Sequence, residues 1–189
     1  LIKSNIKTAV DKLKFHLLNK HTKEHELSTM LKSTEHGKNI GLLSEAGCPA
    51  IADPGADIVK LAHSSGISVK PLVGPSSIFM SLMASGLNGQ NFTFNGYLPK
   101  DKIKRKKHIL LLEKLSFTKQ QTQIFIETPF RNNNMLKDLC KYCHPSTTLV
   151  VATNISTHSE RIIRQTIENW RKMKLDLNKK PSVFLIHKY

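Results

Sequence analysis

The stretch Leu42-Leu43-Ser44-Glu45-Ala46-Gly47-Cys48-Pro49-Ala50-Ile51-Ala52-Asp53-Pro54-Gly55 decides how the chain reads. It begins inside a short apolar run, 39–44, of the kind a buried parallel strand uses. A loop of small and rigid residues follows. After it, Ile58, Val59, Leu61 and Ala62 fall at helical spacing over 56–65, with Gly66 as the stop. Residues 67–73 read as a second strand, interrupted by Pro71. Strand, helix and strand make one βαβ unit with a long first loop. Ligands of open α/β sheets bind at the carboxyl ends of the strands, where this loop would lie. Small residues let backbone approach a ligand closely, and prolines stiffen the loop. Asp53 is placed to cap the helix that starts near Pro54.

Working outward, Gly74-Pro75-Ser76-Ser77 ends the second strand and offers N-cap chemistry to a helix over 78–85. A domain boundary is expected here, giving domains 1–73 and 74–189. Downstream, strands are expected at 92–94, 123–126, 148–152 and 182–187. The segment 96–99 reads as a turn. Helices are expected after the basic run 100–107, at 132–143, and at 160–173. Upstream, 1–38 reads as helical and basic: Leu13, Leu17 and Leu18, then Leu27, Met30 and Leu31, fall at helical spacing, and His36-Gly37 supplies a stop. The fold class is α/β.

The chain has 189 residues, 39% of them hydrophobic, enough to build a core. Lys and Arg number 29 against 14 acids, a net charge of +15. That excess favours a polyanionic partner through phosphate neutralisation. At 6% aromatic residues, a stacking platform for single strands is not evident. No apolar run reaches the roughly 18 residues needed to span a bilayer. No signal peptide is visible, and three cysteines imply no disulfide framework, so a reducing cytoplasm is the expected location. Cys140-Lys141-Tyr142-Cys143-His144 spells a haem-attachment motif, but both cysteines fall on the apolar face of a helix and read as core. The histidines are scattered, so no metal is expected.

Four ordered motifs carry a resemblance. They are 42–55, then Pro71-Leu72-Val73-Gly74-Pro75-Ser76-Ser77, then Ala84-Ser85-Gly86-Leu87, then Phe94-Asn95-Gly96-Tyr97-Leu98-Pro99. Together they resemble the tetrapyrrole methylase superfamily, most closely its branch of ribosomal RNA small-subunit methyltransferases I, which methylate a cytidine 2′-hydroxyl. Phe125-Ile126-Glu127-Thr128-Pro129-Phe130-Arg131-Asn132 resembles a further segment of that branch. The resemblance implies two small α/β domains with S-adenosylmethionine in the cleft between them, a homodimer, and no metal. It puts the cofactor against Ala46, Gly47, Pro49, Ala50, Ile51, Asp53, Pro54, Gly74, Pro75, Ser76, Ser77, Leu98 and Pro99. An opening strand with a Pro-x-Gly-Asn loop and an Asp-Thr-Arg segment, which the branch implies, are not found. The domain 1–73 is therefore expected to be incomplete at its start.

A sulfonium is already activated, so the protein chiefly aligns the reactants. The acceptor hydroxyl still needs its proton removed or its charge stabilised. Glu127 is the best-placed carboxylate by motif, and Arg131 can contact phosphate or simply pair with Glu127. Lys100, Lys102, Lys104, Arg105, Lys106 and Lys107 form the densest basic stretch and are expected to contact RNA phosphates. The reading is thus a methyltransferase acting on ribosomal RNA in the small subunit. Two alternatives stand beside it: a methylase of the same fold acting on a porphyrin or corrin precursor, and a non-catalytic RNA-binding module.

Overall fold

A computed structural model of the chain describes residues 12–189. Residues 1–11, read above as the start of a basic helical segment, lie outside the described residues. The chain splits into two compact units, Leu1–Gly74 and Pro75–Tyr189.

The first unit is built on two helices. Helix α1 (Glu24–Leu31) continues into a 3₁₀ turn, Lys32–His36, which ends at Gly37 with φ 69°. Helix α2 spans Gly55–Ser64 and ends at Gly66, also left-handed, where Ile67 N donates to Ala62 O. Leu27 and Leu31 of α1 pack on Ile58 and Ala62 of α2. The structure departs from the sequence reading in two places. Leu13, Leu17 and Leu18 are not helical, and Leu17 is exposed. Asn19 is the physical reason: its side chain accepts from His21 N and its carbonyl from Thr22 N, a local turn that competes with helix. Residues 39–44 and 67–73 form no strand either. A strand needs a partner to take up its backbone hydrogen bonds, and no strand of this unit lies among the described residues. Ile40, Leu43, Leu72 and Val73 stay exposed.

The second unit is a five-stranded sheet with helices on both faces. Helix α3 (Ser77–Ser85) leads to β1 (Phe92–Tyr97), α4 (Lys102–Thr118), β2 (Thr122–Ile126), α5 (Asn132–Tyr142), β3 (Thr148–Thr153), β4 (Arg161–Thr166), α6 (Ile167–Lys172) and β5 (Ser182–His187). The sheet order is β1-β2-β5-β3-β4. Only β1 and β2 run parallel; β2–β5, β5–β3 and β3–β4 are antiparallel. Period-two alternation puts apolar groups on both faces. Phe125, Leu149, Val151, Phe184 and Ile186 meet α4, α5 and α6, whereas Ile124, Val150, Val183 and Leu185 meet Ile78 and Leu82 of α3. Phe125 and Phe184 stack with ring centroids 5.7 Å apart.

Residues 160–173, expected as one helix, are a strand followed by a short helix. The β-branched pair Ile162-Ile163 favours extended backbone, and all six residues of β4 pair with β3. Thr166 then starts α6 by accepting a hydrogen bond from Asn169 N. The expected turn at 96–99 begins later than its first residue. Strand β1 runs through Gly96 to Tyr97, with Gly96 left-handed at φ 61° and a slip in the β1–β2 register between Phe94 and Tyr97.

Candidate functional site

The loop 44–54 is held in shape from inside by one side chain. Asp53 Oδ1 accepts from Gly55 N (2.9 Å) and Ala50 N (3.2 Å), and Oδ2 accepts from Ser44 Oγ (2.9 Å). Asp53 thus does more than cap α2, whose N-cap position is Pro54: it ties both ends of the loop to its middle. Burial raises the carboxyl pKa, but the hydrogen bonds from Gly55, Ala50 and Ser44 outweigh it and hold the group below its ordinary value. The backbone is left-handed at Gly47, Ala50 and Ala52, with φ 74°, 66° and 55°. Alanine rarely adopts that conformation, so two such residues in three positions mark a strained turn. A side chain on Gly47 would meet nothing within 4 Å, whereas one on Gly55 would meet Leu42 Cδ2 at 2.9 Å and Ala50 N at 3.1 Å. The loop is therefore open on one side and packed on the other. Cys48 Sγ lies 3.9 Å from Gly74 O, which brings Gly74 to the same loop.

In the second unit, strand polarity gathers several loops at one edge of the sheet. Tyr97 pairs with Ile126, so Leu98 and Glu127 leave adjacent parallel strands side by side. The antiparallel strands bring 154–160 and 178–181 to that edge. Lys179 N donates to Pro129 O, and Asn154 N to Pro181 O, joining these loops. Leu98 is buried in the core, with Pro99 partly exposed after it. Pro75 opens the unit, and Ser76 holds the N-cap position of α3; the expected side-chain cap is not made, and the Ser76 carbonyl accepts the first helical hydrogen bond, from Met80 N. Ser76 is itself buried.

Glu127 and Arg131 form a close pair at this edge. Glu127 Oε1 accepts from Arg131 Nε (3.0 Å), Arg131 Nη2 (2.5 Å) and Thr128 N (2.7 Å). The Glu127 side chain is 1% exposed and that of Arg131 29%. All three of these hydrogen bonds fall on one carboxylate oxygen, and two of them come from the guanidinium, so the pair is held as a unit.

The basic stretch is helical, not a free loop. Asp101 caps α4 by accepting from Lys104 N (2.8 Å). Lys100, Lys102, Lys104, Lys106 and Lys107 are exposed. Their cluster sits at the positive end of the helix dipole with no acid in the first turn. Arg105 differs. Its Nε donates to Asp138 Oδ2 (2.8 Å) and its Nη1 to the carbonyls of Lys100 and Pro99, and its side chain is 11% exposed. This guanidinium fastens the chain after β1 to α5, with Nε and Nη1 both donating within the protein.

Two residues that the sequence reading passed over help hold this edge. Asp138 is one. The other is Asn132, fully buried, whose Nδ2 donates to Lys180 O (2.6 Å) and Ser182 Oγ (3.1 Å). An acid within a basic helical pair was the available signal for Asp138; Asn132 had none beyond its place after Arg131. Cys143 lies in the core and Cys140 packs against it, and burial pushes both thiols up. Among the described residues no His, Cys, Asp and Glu cluster could hold a metal, and no helix is long and apolar enough to cross a membrane.

Comparison with known proteins fits this frame. The sequence profile of the Tetrapyrrole (Corrin/Porphyrin) Methylases matches residues 5–170. A Bacillus subtilis protein named Ribosomal RNA small subunit methyltransferase I is 37% identical over 153 residues, 81% of this chain and 50% of that one. The chain spans about half the length of the curated relatives it matches. Among solved structures, the methyltransferase CobJ superposes with a TM-score of 0.60 at 15% identity, over 86% of this chain and 70% of that one. Uroporphyrin-III C-methyl transferase from Thermus thermophilus, solved with S-adenyl homocysteine, gives 0.51 at 15% identity, over 87% and 73%. With the profile covering most of its length and the same α/β fold, the chain belongs to the tetrapyrrole (corrin/porphyrin) methylase family.

Proposed function

We propose that the protein is an S-adenosylmethionine-dependent methyltransferase that 2′-O-methylates a ribose in small-subunit ribosomal RNA. The observation that carries this reading is the 37% identity to a protein named Ribosomal RNA small subunit methyltransferase I, against 15% to the porphyrin and corrin methylases. The +15 charge and the exposed lysines of α4 support an RNA acceptor over a small macrocycle. When bound, the cofactor supplies a methyl group on an activated sulfonium. The open, small-residue side of the loop suits it: in the first unit Ala46, Gly47, Pro49, Ala50, Ile51, Asp53, Pro54 and Gly74 are the proposed cofactor residues, and in the second unit Pro75, Ser76, Ser77, Leu98 and Pro99 are. Asp53 acts by keeping the loop's shape. Glu127 fixes Arg131, whose remaining N–H donors serve a phosphate or a developing oxyanion. Lys100, Lys102, Lys104, Lys106 and Lys107 contact phosphates. The protein works as a homodimer in the cytoplasm.

Calorimetric titration with S-adenosylmethionine tests the cofactor half. Micromolar binding is expected, weakened about tenfold or more by Asp53→Ala, equivalent to about 1.4 kcal/mol. Absence of binding by a folded protein that still binds RNA would overturn the enzyme reading in favour of an RNA-binding module. The RNA half is read from the salt dependence of binding to a ribosomal RNA fragment. Replacing Lys102, Lys104, Lys106 and Lys107 by Gln should weaken binding to every sequence alike and flatten the log–log salt slope by about 3 to 4. An unchanged slope would remove these lysines from the interface.

A further inference from the structure

Helices α5 and α6, with the strap 173–176 that follows α6, enclose a groove of about 810 Å³. Neither Glu127 nor Arg131 is among the residues that line it. Its floor is apolar: Leu136, Met173 and Leu175 are only partly buried against the core. Its rim is cationic, with Lys137, Lys141 and Lys174 exposed. Both walls are pinned. Arg171 Nε donates to Cys140 O (2.8 Å) and Nη2 to Cys143 O (3.2 Å), locking α6 to the end of α5. Trp170 Nε1 donates to Leu149 O (2.8 Å). The strap is tied to the start of α5, where Asn133 Oδ1 accepts from Leu177 N and Asn133 Nδ2 donates to Asp176 Oδ1. The one acid lining the groove is therefore already engaged.

We infer that this groove docks an acidic amphipathic helix of a protein partner. The apolar floor asks for apolar side chains at helical spacing, and the lysine rim asks for carboxylates flanking them. Pinned walls make the groove ready before the partner arrives, which lowers the ordering cost of binding. An RNA strand would satisfy the rim but not the floor, since bases stack on exposed aromatic rings and the groove's aromatic residue, Trp170, is 2% exposed.

The test uses fluorescence anisotropy at 0.15 M salt with three labelled 18-residue helical peptides: one with a leucine stripe flanked by glutamates, one with the same glutamates and serines for leucines, and one with the leucine stripe flanked by lysines. The leucine–glutamate peptide is expected to bind at least tenfold tighter than either control, and Lys137→Glu/Lys174→Glu to remove that preference. Both sites are exposed, so this variant should keep its thermal transition. Equal binding of the two glutamate peptides, or an unchanged preference in the variant, overturns the proposal. So does a variant that loses uridine-oligomer binding while peptide binding is unaffected, which assigns the face to RNA.

Discussion

Arg131→Met should cost the second unit about 3–5 kcal/mol of unfolding free energy, the usual penalty for leaving one member of a buried ion pair without its partner. The Glu127 carboxylate has a side-chain exposure of 1% and depends on two donors from that guanidinium. Deleting the cation leaves the carboxylate with Thr128 N. The double variant Arg131→Met/Glu127→Gln should recover most of the loss, because removing both charges is far cheaper than removing one. Trp170 is the single tryptophan and lies buried in this unit, so its fluorescence in a urea titration reads the effect directly. If the single and double variants unfold at the same urea concentration, the pair does not stabilise the edge as described.

Gly55→Ala should be the next most damaging change, this time in the first unit. A methyl group there meets Leu42 Cδ2 at 2.9 Å, Asp53 Oδ1 at 3.0 Å and Ala50 N at 3.1 Å. A leucine terminus can swing away, but the Ala50 backbone and the Asp53 carboxylate are bonded to each other across that spot. Overpacking of this kind costs about 1–3 kcal/mol, and here it should pry the clamp open. The readout is hydrogen exchange at the Ala50 and Gly55 amides, which should lose protection in the variant. Acid should do the same to the unsubstituted protein. The folded pKa of Asp53 is lowered, so its stabilising contribution is present above the ordinary carboxylate value of 3.8 and is lost as the pH falls through the lower folded value. Amides that keep their protection in Gly55→Ala would show that the loop does not rely on the clamp.

What the sequence made legible depended on how local the deciding interactions are. In the second unit the strands 123–126, 148–152 and 182–187 and the helix 132–143 stand within a residue or so of their expected places, because each carries a complete period-two or helical stripe that buries against its neighbours. Residues 160–173 misled because Ile162, Ile163, Ile167 and Trp170 have helix-like spacing, while the deciding fact was the open edge of β3. In the first unit the apolar runs 39–44 and 67–73 looked like strands by composition, but strand formation is settled by a partner elsewhere in the fold. The loop 44–55 was readable as a special segment from its small residues and prolines. The role of Asp53 as a clamp reaching back to Ser44 and Ala50 was not, since it follows from a turn geometry that spacing does not encode. Arg105 could not be told from its lysine neighbours until Asp138 came beside it.

The start of α4 leaves a further consequence. Lysines 102, 104, 106 and 107 crowd a helix end whose own dipole is positive, with Asp101 as its acid cap. Mutual repulsion works against the first turn, and any polyanion that neutralises these lysines relieves it. Binding and helix order are thus two sides of one equilibrium: a bound nucleic acid tightens the turn, and a frayed turn weakens its grip. The melting temperature of the protein should therefore climb with polyanion concentration, and added simple salt should blunt that climb while steadying the unbound helix end.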